Sequence, residues 1–206
     1  MKAKRIHLAV YDTLADWEIG YLTAEIRNGR WQRDPGSHSI VTVGQTLEPI
    51  VTMGGLRITP EIALDQLSAR DSAMLVLPGA DLWDGSEDLV PFARAAREFL
   101  GAGVPVAAIC GATAGMAREG LLNERRHTSA VREYLEMQSG YTGGDHYANV
   151  DACIDGDLVT AGPTEPIAFA REIFARLETF RPDVLQAWFR LFRHSDPSAY
   201  ELLATA

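Results

Sequence analysis

Short, almost wholly apolar runs alternate with amphipathic segments along this chain, and this alternation constrains its fold more than any other feature. Such runs occupy residues 6–11, 73–77 and 104–109, and a further strand is predicted over residues 39–43. Strands that are apolar at nearly every position are typical of a parallel sheet buried on both faces. Parallel neighbours need crossover connections, so we predict an open, mostly parallel α/β sheet with helices on both faces.

Proline, glycine and the spacing of apolar residues predict where the other elements lie. One predicted helix begins at Asp16, one follows Pro60, and one follows Pro182. Three more are predicted over residues 84–102, 111–118 and 166–177. Small hairpins are predicted around Gly54-Gly55 and Asp155-Gly156, because such residue pairs favour tight chain reversal.

Length and composition favour one folded unit. A chain of 206 residues can bury one core and is short for two, so we predict a single domain over residues 1–206. Its core is predicted to span about residues 5–178, followed by a C-terminal helical extension over about residues 182–204. Hydrophobic residues make up 47% and charged residues 23%, so disorder is not expected.

Charge and cysteine content argue against several classes of partner. A formal net charge of −9, with scattered Lys and Arg, offers no basic surface to a nucleic acid. The apolar run after the basic residues 2–5 is too short for a signal peptide or a membrane span, so we expect no membrane partner. Two cysteines give no disulfide framework, which favours a reducing cytoplasm. We expect neither metal nor cofactor, because the histidines have no spaced partners.

Cys110 stands between a buried strand and a segment of small residues. A strand that meets a reactive side chain without a linker, directly before a helix, predicts a strained turn that points the nucleophile outward. Unpaired N–H groups at the start of that helix would lower the pKa of the thiol. The N–H of Gly111 could hold an oxyanion beside the sulfur, and Gly79, after the neighbouring strand, could supply a second donor.

A purely structural role for Cys110 stays open from the residues alone, because free cysteines are among the most buried residue types. Cys153 lies in a hairpin arm without comparable surroundings, and we interpret it as structural.

Four sequence blocks together resemble the ThiJ/PfpI (DJ-1/PfpI) superfamily, whose fold is related to class I glutamine amidotransferases. They occur in the family's order, between about residues 5 and 178. The blocks are residues 15–18 (ADWE), 76–81 (VLPGAD), 107–111 (AAICG) followed by 119–123 (EGLLN), and 158–163 (LVTAGP).

This resemblance implies a flavodoxin-like three-layer sandwich with a nucleophile elbow, usually a homodimer, acting on a small-molecule substrate. It also implies a cysteine that is hydrogen-bonded by an acidic residue from the first βα turn. By position that residue is Glu18, with Asp16 as the nearby alternative. Without the resemblance, Glu18 would be interpreted as an ordinary carboxylate in the first turn of a helix.

The chain also differs from the family pattern at one important position. Family members described as proteases or amidases have a histidine directly after the cysteine, where this chain has Gly111. A complete Cys-His-acid triad has no obvious histidine, which disfavours hydrolysis of unactivated amides, and thus a classical protease or a glutamine amidotransferase. His127 and His146 are candidates to approach the cleft. Trp83 is a candidate to wall the pocket or, equally, an aromatic packed under a loop.

The leading hypothesis is a cysteine-dependent enzyme acting on a small reactive electrophile, by hydratase, hydrolase or glyoxalase-like chemistry. Cys110 would attack and Glu18 would manage the proton. The alternative is a redox or electrophile sensor that uses the same cysteine without turnover. A third possibility is a binding module whose C-terminal helix presents Trp188, Phe189 and Phe192 to a partner.

Overall fold

A computed structural model describes residues 3–206, and within them seven strands form one sheet. The sheet order is β5-β2-β1-β6-β7-β9-β8, in which β8 is antiparallel to β9 and all other pairs are parallel. Strands β3 and β4 form a separate antiparallel hairpin. The strands are β1 (Lys4–Ala9), β2 (His38–Gly44), β3 (Ile50–Val51), β4 (Arg57–Ile58), β5 (Ile62–Ala63), β6 (Ser72–Leu77), β7 (Val106–Ile109), β8 (Ala152–Asp155) and β9 (Leu158–Ala161).

Helices cover both faces of the sheet. Helix α1 packs against α5, and α5 against α6, whereas α2 packs against α3 and against strands β6 and β7. This arrangement confirms the predicted mostly parallel α/β fold. The helices are α1 (Asp16–Asn28), α2 (Val90–Gly101), α3 (Ala112–Arg118), α4 (Arg132–Glu136), α5 (Pro166–Arg176), α6 (Pro182–His194) and α7 (Tyr200–Leu203).

The central strands form the core. All four residues of β7 and the last four of β6 are fully buried, as their continuous apolar sequences predict. Each fully buried aliphatic side chain of this kind stabilises the fold by about 1.5–3 kcal/mol. Because β1, β6 and β7 are adjacent and parallel, their carboxyl ends meet at one edge, where ligands bind in sheets of this type.

The helix predicted after Pro60 does not form. Residues of this segment instead make the edge strand β5, which pairs with β2 and is followed by short 3₁₀ turns. The N–H of Glu61 donates to the Thr42 carbonyl at 3.0 Å, and its carboxylate accepts from the Thr42 N–H at 3.0 Å. The open edge of β2 therefore outweighs the local helical spacing of apolar residues.

Helix α2 begins at Val90 and not at residue 84. Asp81–Trp83 form a 3₁₀ turn, and Gly85 has a φ of 81°, which no α-helix accommodates. Pro91 then stands in the first turn of α2, where a missing N–H costs nothing. The short helix α4 was not predicted, because it contains too few residues to display a period, whereas α7 falls within the predicted C-terminal helical extension.

The aromatic side of α6 faces the protein interior. Trp188 is fully buried and its ring meets that of Phe174 edge to face, with centroids 5.4 Å apart. Phe189 is also buried and only Phe192 is partly so. This placement gives no support to the C-terminal helix as a partner-binding face.

Helix α3 approaches the rest of the protein unusually closely through its small residues. A Cβ added at Gly115 would lie 2.2 Å from Cζ3 of Trp83, which is fully buried. The absence of a side chain at Gly115 therefore sets how closely α3, and the cysteine that precedes it, packs onto the Trp83 ring.

Gly115→Ala should lower the free energy of unfolding by about 1–3 kcal/mol, because the added methyl group overpacks the contact with Trp83. Gly20→Ala is the matched control: it also lies inside a helix, but nothing stands within 4 Å of the added Cβ. That variant should gain about 0.5–1 kcal/mol from higher helix propensity. Urea denaturation measures both; equal effects of the two substitutions would contradict the close approach.

Candidate active site

Cys110 lies at a sharp strand-to-helix turn, directly after β7 and separated from the start of α3 by Gly111 alone. Its φ of 57° is in the left-handed region, which a non-glycine residue adopts at a cost of about 1–3 kcal/mol. The side chain is half-buried and the thiol is free. The strained turn expected from the sequence is therefore present, and it leaves the sulfur partly accessible.

Hydrogen bonds on both sides hold this strained residue. The Cys110 N–H donates to the Ala161 carbonyl at 3.1 Å, which continues the pairing of β7 with β9. The Cys110 carbonyl accepts from the N–H of Thr113 at 3.0 Å and from its hydroxyl at 2.6 Å. The Thr113 hydroxyl also meets the buried Ser129 hydroxyl at 2.6 Å. The backbone is thus fixed before any substrate arrives.

Glu18 lies in the first turn of α1 and is 1% exposed. Its Oε2 accepts from the Gly79 N–H at 2.6 Å, whereas Oε1 is buried and accepts from no N–H or O–H group of residues 3–206. The Cys110 side chain lies on the same side of Gly79 as this carboxylate, and its thiol lowers the pKa of Glu18. The two predicted catalytic side chains therefore lie together.

Gly79 separates these two side chains without filling the space between them. A Cβ built at Gly79 would lie 2.7 Å from the Cβ of Cys110 and 2.9 Å from each carboxylate oxygen of Glu18. Only glycine fits at such a point. Its N–H is directed at Glu18, so the predicted role of Gly79 as an oxyanion donor is wrong: it positions the carboxylate instead. Gly111 keeps its candidate role, since its N–H lowers the pKa of the neighbouring thiol.

Burial decides the protonation of the pair. It raises the pKa of Glu18 to about 7, although the Gly79 N–H and the thiol stabilise the carboxylate. Burial, followed by the charge of Glu18, raises the pKa of Cys110 to about 12, against the lowering effect of the Gly111 N–H. The low-pKa thiolate expected from the helix N-terminus is therefore not supported, because burial and the Glu18 charge both raise the pKa of the thiol. Above about pH 7 the pair holds one proton, with a carboxylate ready to take it from the sulfur.

Asp16, the alternative acid, has a different role. Its carboxylate accepts from the Thr52 hydroxyl at 2.5 Å and from the Gly54 N–H at 2.6 Å. Partial burial alone would raise its pKa, but these hydrogen bonds outweigh burial and lower it. Asp16 therefore anchors the β3-β4 hairpin to the start of α1 and does not face the sulfur.

His127 does not complete a triad. It is fully buried, and both ring nitrogens are engaged, Nδ1 with the Arg125 carbonyl at 2.7 Å and Nε2 with the Tyr141 hydroxyl at 2.8 Å. Burial lowers its pKa. His146 is exposed in a 3₁₀ turn, where its carbonyl accepts from the His127 N–H. Neither ring is placed to accept a proton from Cys110.

Trp83 lies beneath the elbow and does not wall an open pocket. Its indole N–H donates to the Pro78 carbonyl at 3.0 Å and to the Tyr11 hydroxyl at 3.1 Å. Tyr11 itself donates to the same carbonyl. This buried group holds the chain that leads into Gly79, so Trp83 supports the floor of the site.

Sequence reasoning missed two groups of residues around the sulfur. The Thr113 hydroxyl donates to the Cys110 carbonyl and contacts the Ser129 hydroxyl. A hydroxyl residue three positions after the cysteine is the sequence feature that could have predicted the role of Thr113. Asp84, whose charge raises the pKa of Cys110, is joined to the Tyr134 hydroxyl by a hydrogen bond of 2.7 Å. Tyr134 had no signal, because α4 is too short to be predicted.

The described part of the chain contains neither a cluster of metal-ligating side chains nor a membrane-spanning helix. Among residues 3–206, no cluster of three or more His, Cys, Asp and Glu side chains is arranged to hold a metal ion. No helix in the same range is both long and apolar enough to cross a bilayer.

Comparisons with known proteins agree with this fold. The sequence profile of the DJ-1/PfpI family matches residues 4–176. A Bacillus subtilis protein named "Uncharacterized protease YoaZ" is 39% identical over 208 residues, covering 100% of this chain and 99% of the relative. The crystal structure of a ThiJ/PfpI family protein from Bacillus anthracis has 38% identity and a TM-score of 0.92, covering 100% and 97% of the two chains. The DJ-1 superfamily protein Atu0886 from Agrobacterium tumefaciens has 31% identity and a TM-score of 0.82, covering 93% and 98%.

The rate of Cys110 alkylation by iodoacetamide should rise with pH through about 7, as Glu18 loses its proton and becomes a base. Below that pH both groups are protonated and the sulfur has no acceptor for its proton. Glu18→Gln should slow alkylation at pH 8 by about tenfold or more and remove the step near pH 7. A rate already maximal at pH 5.5 in the wild type would instead indicate a preformed thiolate.

Proposed function

The chain belongs to the DJ-1/PfpI family, and we propose that it is a cysteine-dependent enzyme that adds Cys110 to a small reactive electrophile. The observation that carries the proposal is the juxtaposition of Cys110 and Glu18 around Gly79: a Cβ built there would lie 2.7 Å from the Cβ of Cys110 and 2.9 Å from a Glu18 carboxylate oxygen that has no hydrogen-bond partner within residues 3–206. A base that is buried beside a strained, partly accessible nucleophile is the arrangement that covalent catalysis requires.

The first chemical step follows from the pair and its shared proton. The sulfur forms a bond to the electrophilic carbon while its proton passes to Glu18. For a carbonyl substrate, the π electrons move to the oxygen, which becomes an alkoxide within reach of the Gly111 N–H. Glu18 can then return its proton to that oxygen. No oxidant or reductant is required, since every atom and electron comes from the thiol and the substrate.

A 2-oxoaldehyde illustrates a complete turnover. The hemithioacetal formed at the aldehyde carbon loses its C1 proton to Glu18, and the electrons of that C–H bond form an enediolate across C1 and C2. Glu18 returns the proton to carbon C2 while the C1 hydroxyl proton passes to the C2 oxygen, which leaves a 2-hydroxy thioester on Cys110. Water hydrolyses that thioester to a 2-hydroxy acid and the free thiol. The net reaction adds one water to the substrate, which is glyoxalase-like chemistry. Isonitriles and activated esters are alternative electrophiles for the same first step.

Stable amides suit this site less well. Peptide hydrolysis needs an acid that protonates the leaving amine, and His127 has both ring nitrogens in other hydrogen bonds. The relative named an uncharacterized protease therefore does not lead us to propose proteolysis for this chain. A sensor without turnover is also less supported, because burial raises the pKa of Cys110 and so lowers the thiolate fraction that oxidants attack.

We also propose that the protein is a homodimer and works in the cytoplasm, where a reduced thiol persists. Support for the dimer comes from the β3-β4 hairpin, which carries the exposed apolar side chains Val51, Met53 and Leu56. The neighbouring helix α1 adds Trp17, which is 50% exposed. Clustered exposure of this kind is typical of an association surface.

Cys110→Ser and Glu18→Gln should abolish or reduce turnover of methylglyoxal, phenylglyoxal, an isonitrile or an activated ester. Loss of the general base should lower kcat by about 10²–10⁴-fold. The matched control is Cys153→Ala, which removes the other, buried thiol and should leave kcat unchanged. Product analysis by NMR measures the reaction directly. Equal turnover by the wild type and Cys110→Ser across the panel would eliminate the mechanism.

Met53→Glu combined with Leu56→Glu should convert a dimer to a monomer, because two charges would be buried at the apolar hairpin. Met137→Glu is the control, since Met137 is 75% exposed on a different segment and should leave association unchanged. Sedimentation equilibrium measures the masses. A wild-type protein that is monomeric at every concentration would refute the dimer.

A further inference from the structure

The segment that carries Asp84 lies directly against the nucleophile turn. A Cβ built on Gly111 would lie 3.0 Å from the Cβ of Trp83 and 3.2 Å from its Cδ1. Asp84 is the next residue after Trp83, so its Cα is about 3.8 Å further along the chain. Trp83 is buried while Asp84 is exposed, which places the carboxylate at the rim above the floor formed by the indole.

Two neighbouring elements hold this rim segment. From α4, the Tyr134 hydroxyl donates to Oδ1 of Asp84 at 2.7 Å. From the end of α3, Nη2 of Arg118 donates to the Trp83 carbonyl at 2.8 Å, and Nη1 reaches Oε1 of Gln138 at 3.2 Å. Within residues 3–206, no Lys, Arg or His forms an ion pair with Asp84. The carboxylate is therefore oriented but not neutralised.

The charges around the sulfur are mainly negative. Besides burial and the stronger effect of Glu18, the charge of Asp84 raises the pKa of Cys110. Arg118 keeps its positive charge, since its guanidinium hydrogen-bonds only the neutral Trp83 carbonyl and the Gln138 amide, but it forms no ion pair with Asp84 and is not among the charges that shift the pKa of Cys110. A substrate that approaches Cys110 thus passes one exposed carboxylate and meets a second, buried one.

We propose that Asp84, oriented by Tyr134, makes the mouth of the Cys110 site acidic, so that the site accepts neutral or cationic electrophiles and excludes those bearing a carboxylate. This inference rests on the proposed nucleophilic role of Cys110 and names the substrate class that the role serves. Asp84 acts by its charge on the approaching molecule, and Tyr134 is a positioning residue that fixes the direction of that charge.

The physical basis is Coulomb repulsion in a partly desolvated cleft. An anionic electrophile would be brought towards two like charges, and their interaction is stronger there than in bulk water. A neutral aldehyde meets no such barrier, and an ammonium-bearing substrate is attracted. Aldehydes such as methylglyoxal are therefore expected to react, whereas glyoxylate, with the same aldehyde group beside a carboxylate, is not.

Alkylation with two reagents of similar size tests the proposal on the intact protein. Iodoacetamide is neutral and iodoacetate is anionic, and the ratio of their second-order rates at Cys110 is divided by the same ratio for glutathione. Peptide mapping assigns the label to Cys110. The normalised ratio should be well above one in the wild type, and Asp84→Asn should lower it by about threefold or more.

Three further measurements distinguish an effect of the Asp84 charge from an effect of altered structure. Tyr134→Phe should lower the ratio by less than Asp84→Asn does, since the carboxylate stays but loses its fixed direction. Asp65→Asn makes the same change of charge at an exposed residue beyond β5, at the far edge of the sheet, and should leave the ratio unchanged. Raising the salt concentration should lower the wild-type ratio, because added ions screen exposed charge.

The outcomes distinguish this inference from the function on which it rests. If Cys110 reacts with both reagents and the ratio is the same in the wild type and in Asp84→Asn, the acidic mouth is refuted and the nucleophile stands. If Cys110 reacts with neither reagent while the protein is folded, the proposed function fails and this inference fails with it. A ratio that falls equally in Asp65→Asn and Asp84→Asn would also refute a local role for Asp84.

Discussion

The hydrogen bond from the Gly79 N–H to Glu18 is the interaction on which the site depends. It fixes one oxygen of a buried carboxylate and leaves the other without a hydrogen-bond partner among residues 3–206, on the side of Gly79 where Cys110 lies. Burial raises the pKa of both groups, so the pair retains one proton over the neutral range. Reactivity then depends on transfer of the thiol proton to Glu18 when a substrate binds, and less on a thiolate that is already present in the resting site.

Glu18 and Cys110 are far apart in the sequence, and the parallel sheet brings them together. Helix α1 starts after β1, and α3 starts after β7, with β6 between those strands. Gly79 follows β6 and therefore lies between the two functional side chains. Gly79, which merely follows a strand in the sequence, becomes in the sheet a stretch of backbone that passes between nucleophile and base.

Much of the fold and of the nucleophile turn could be predicted from the sequence, because these features depend on residues that are adjacent in the chain. Continuous apolar runs identified the buried strands, and the Cys110-Gly111 junction identified the turn. Other features depend on distant contacts and could not be predicted. The segment after Pro60 pairs with β2 instead of forming a helix. The Gly79 N–H is taken by a residue 61 positions away, and the thiol pKa is set by burial, which outweighs the helix N-terminus. Asp84 and Tyr134 are 50 positions apart, and no sequence period joins them.

The tight fit at Gly79, Gly111 and Gly115 has a consequence for how such a protein can diversify. None of these positions tolerates a larger side chain without moving the Trp83 ring, the nucleophile or the base. Sequence drift in the lower part of the site is therefore constrained, whereas the exposed positions above it are free to change. Homologous proteins could therefore evolve new substrate preferences while the nucleophile and the base keep the same geometry.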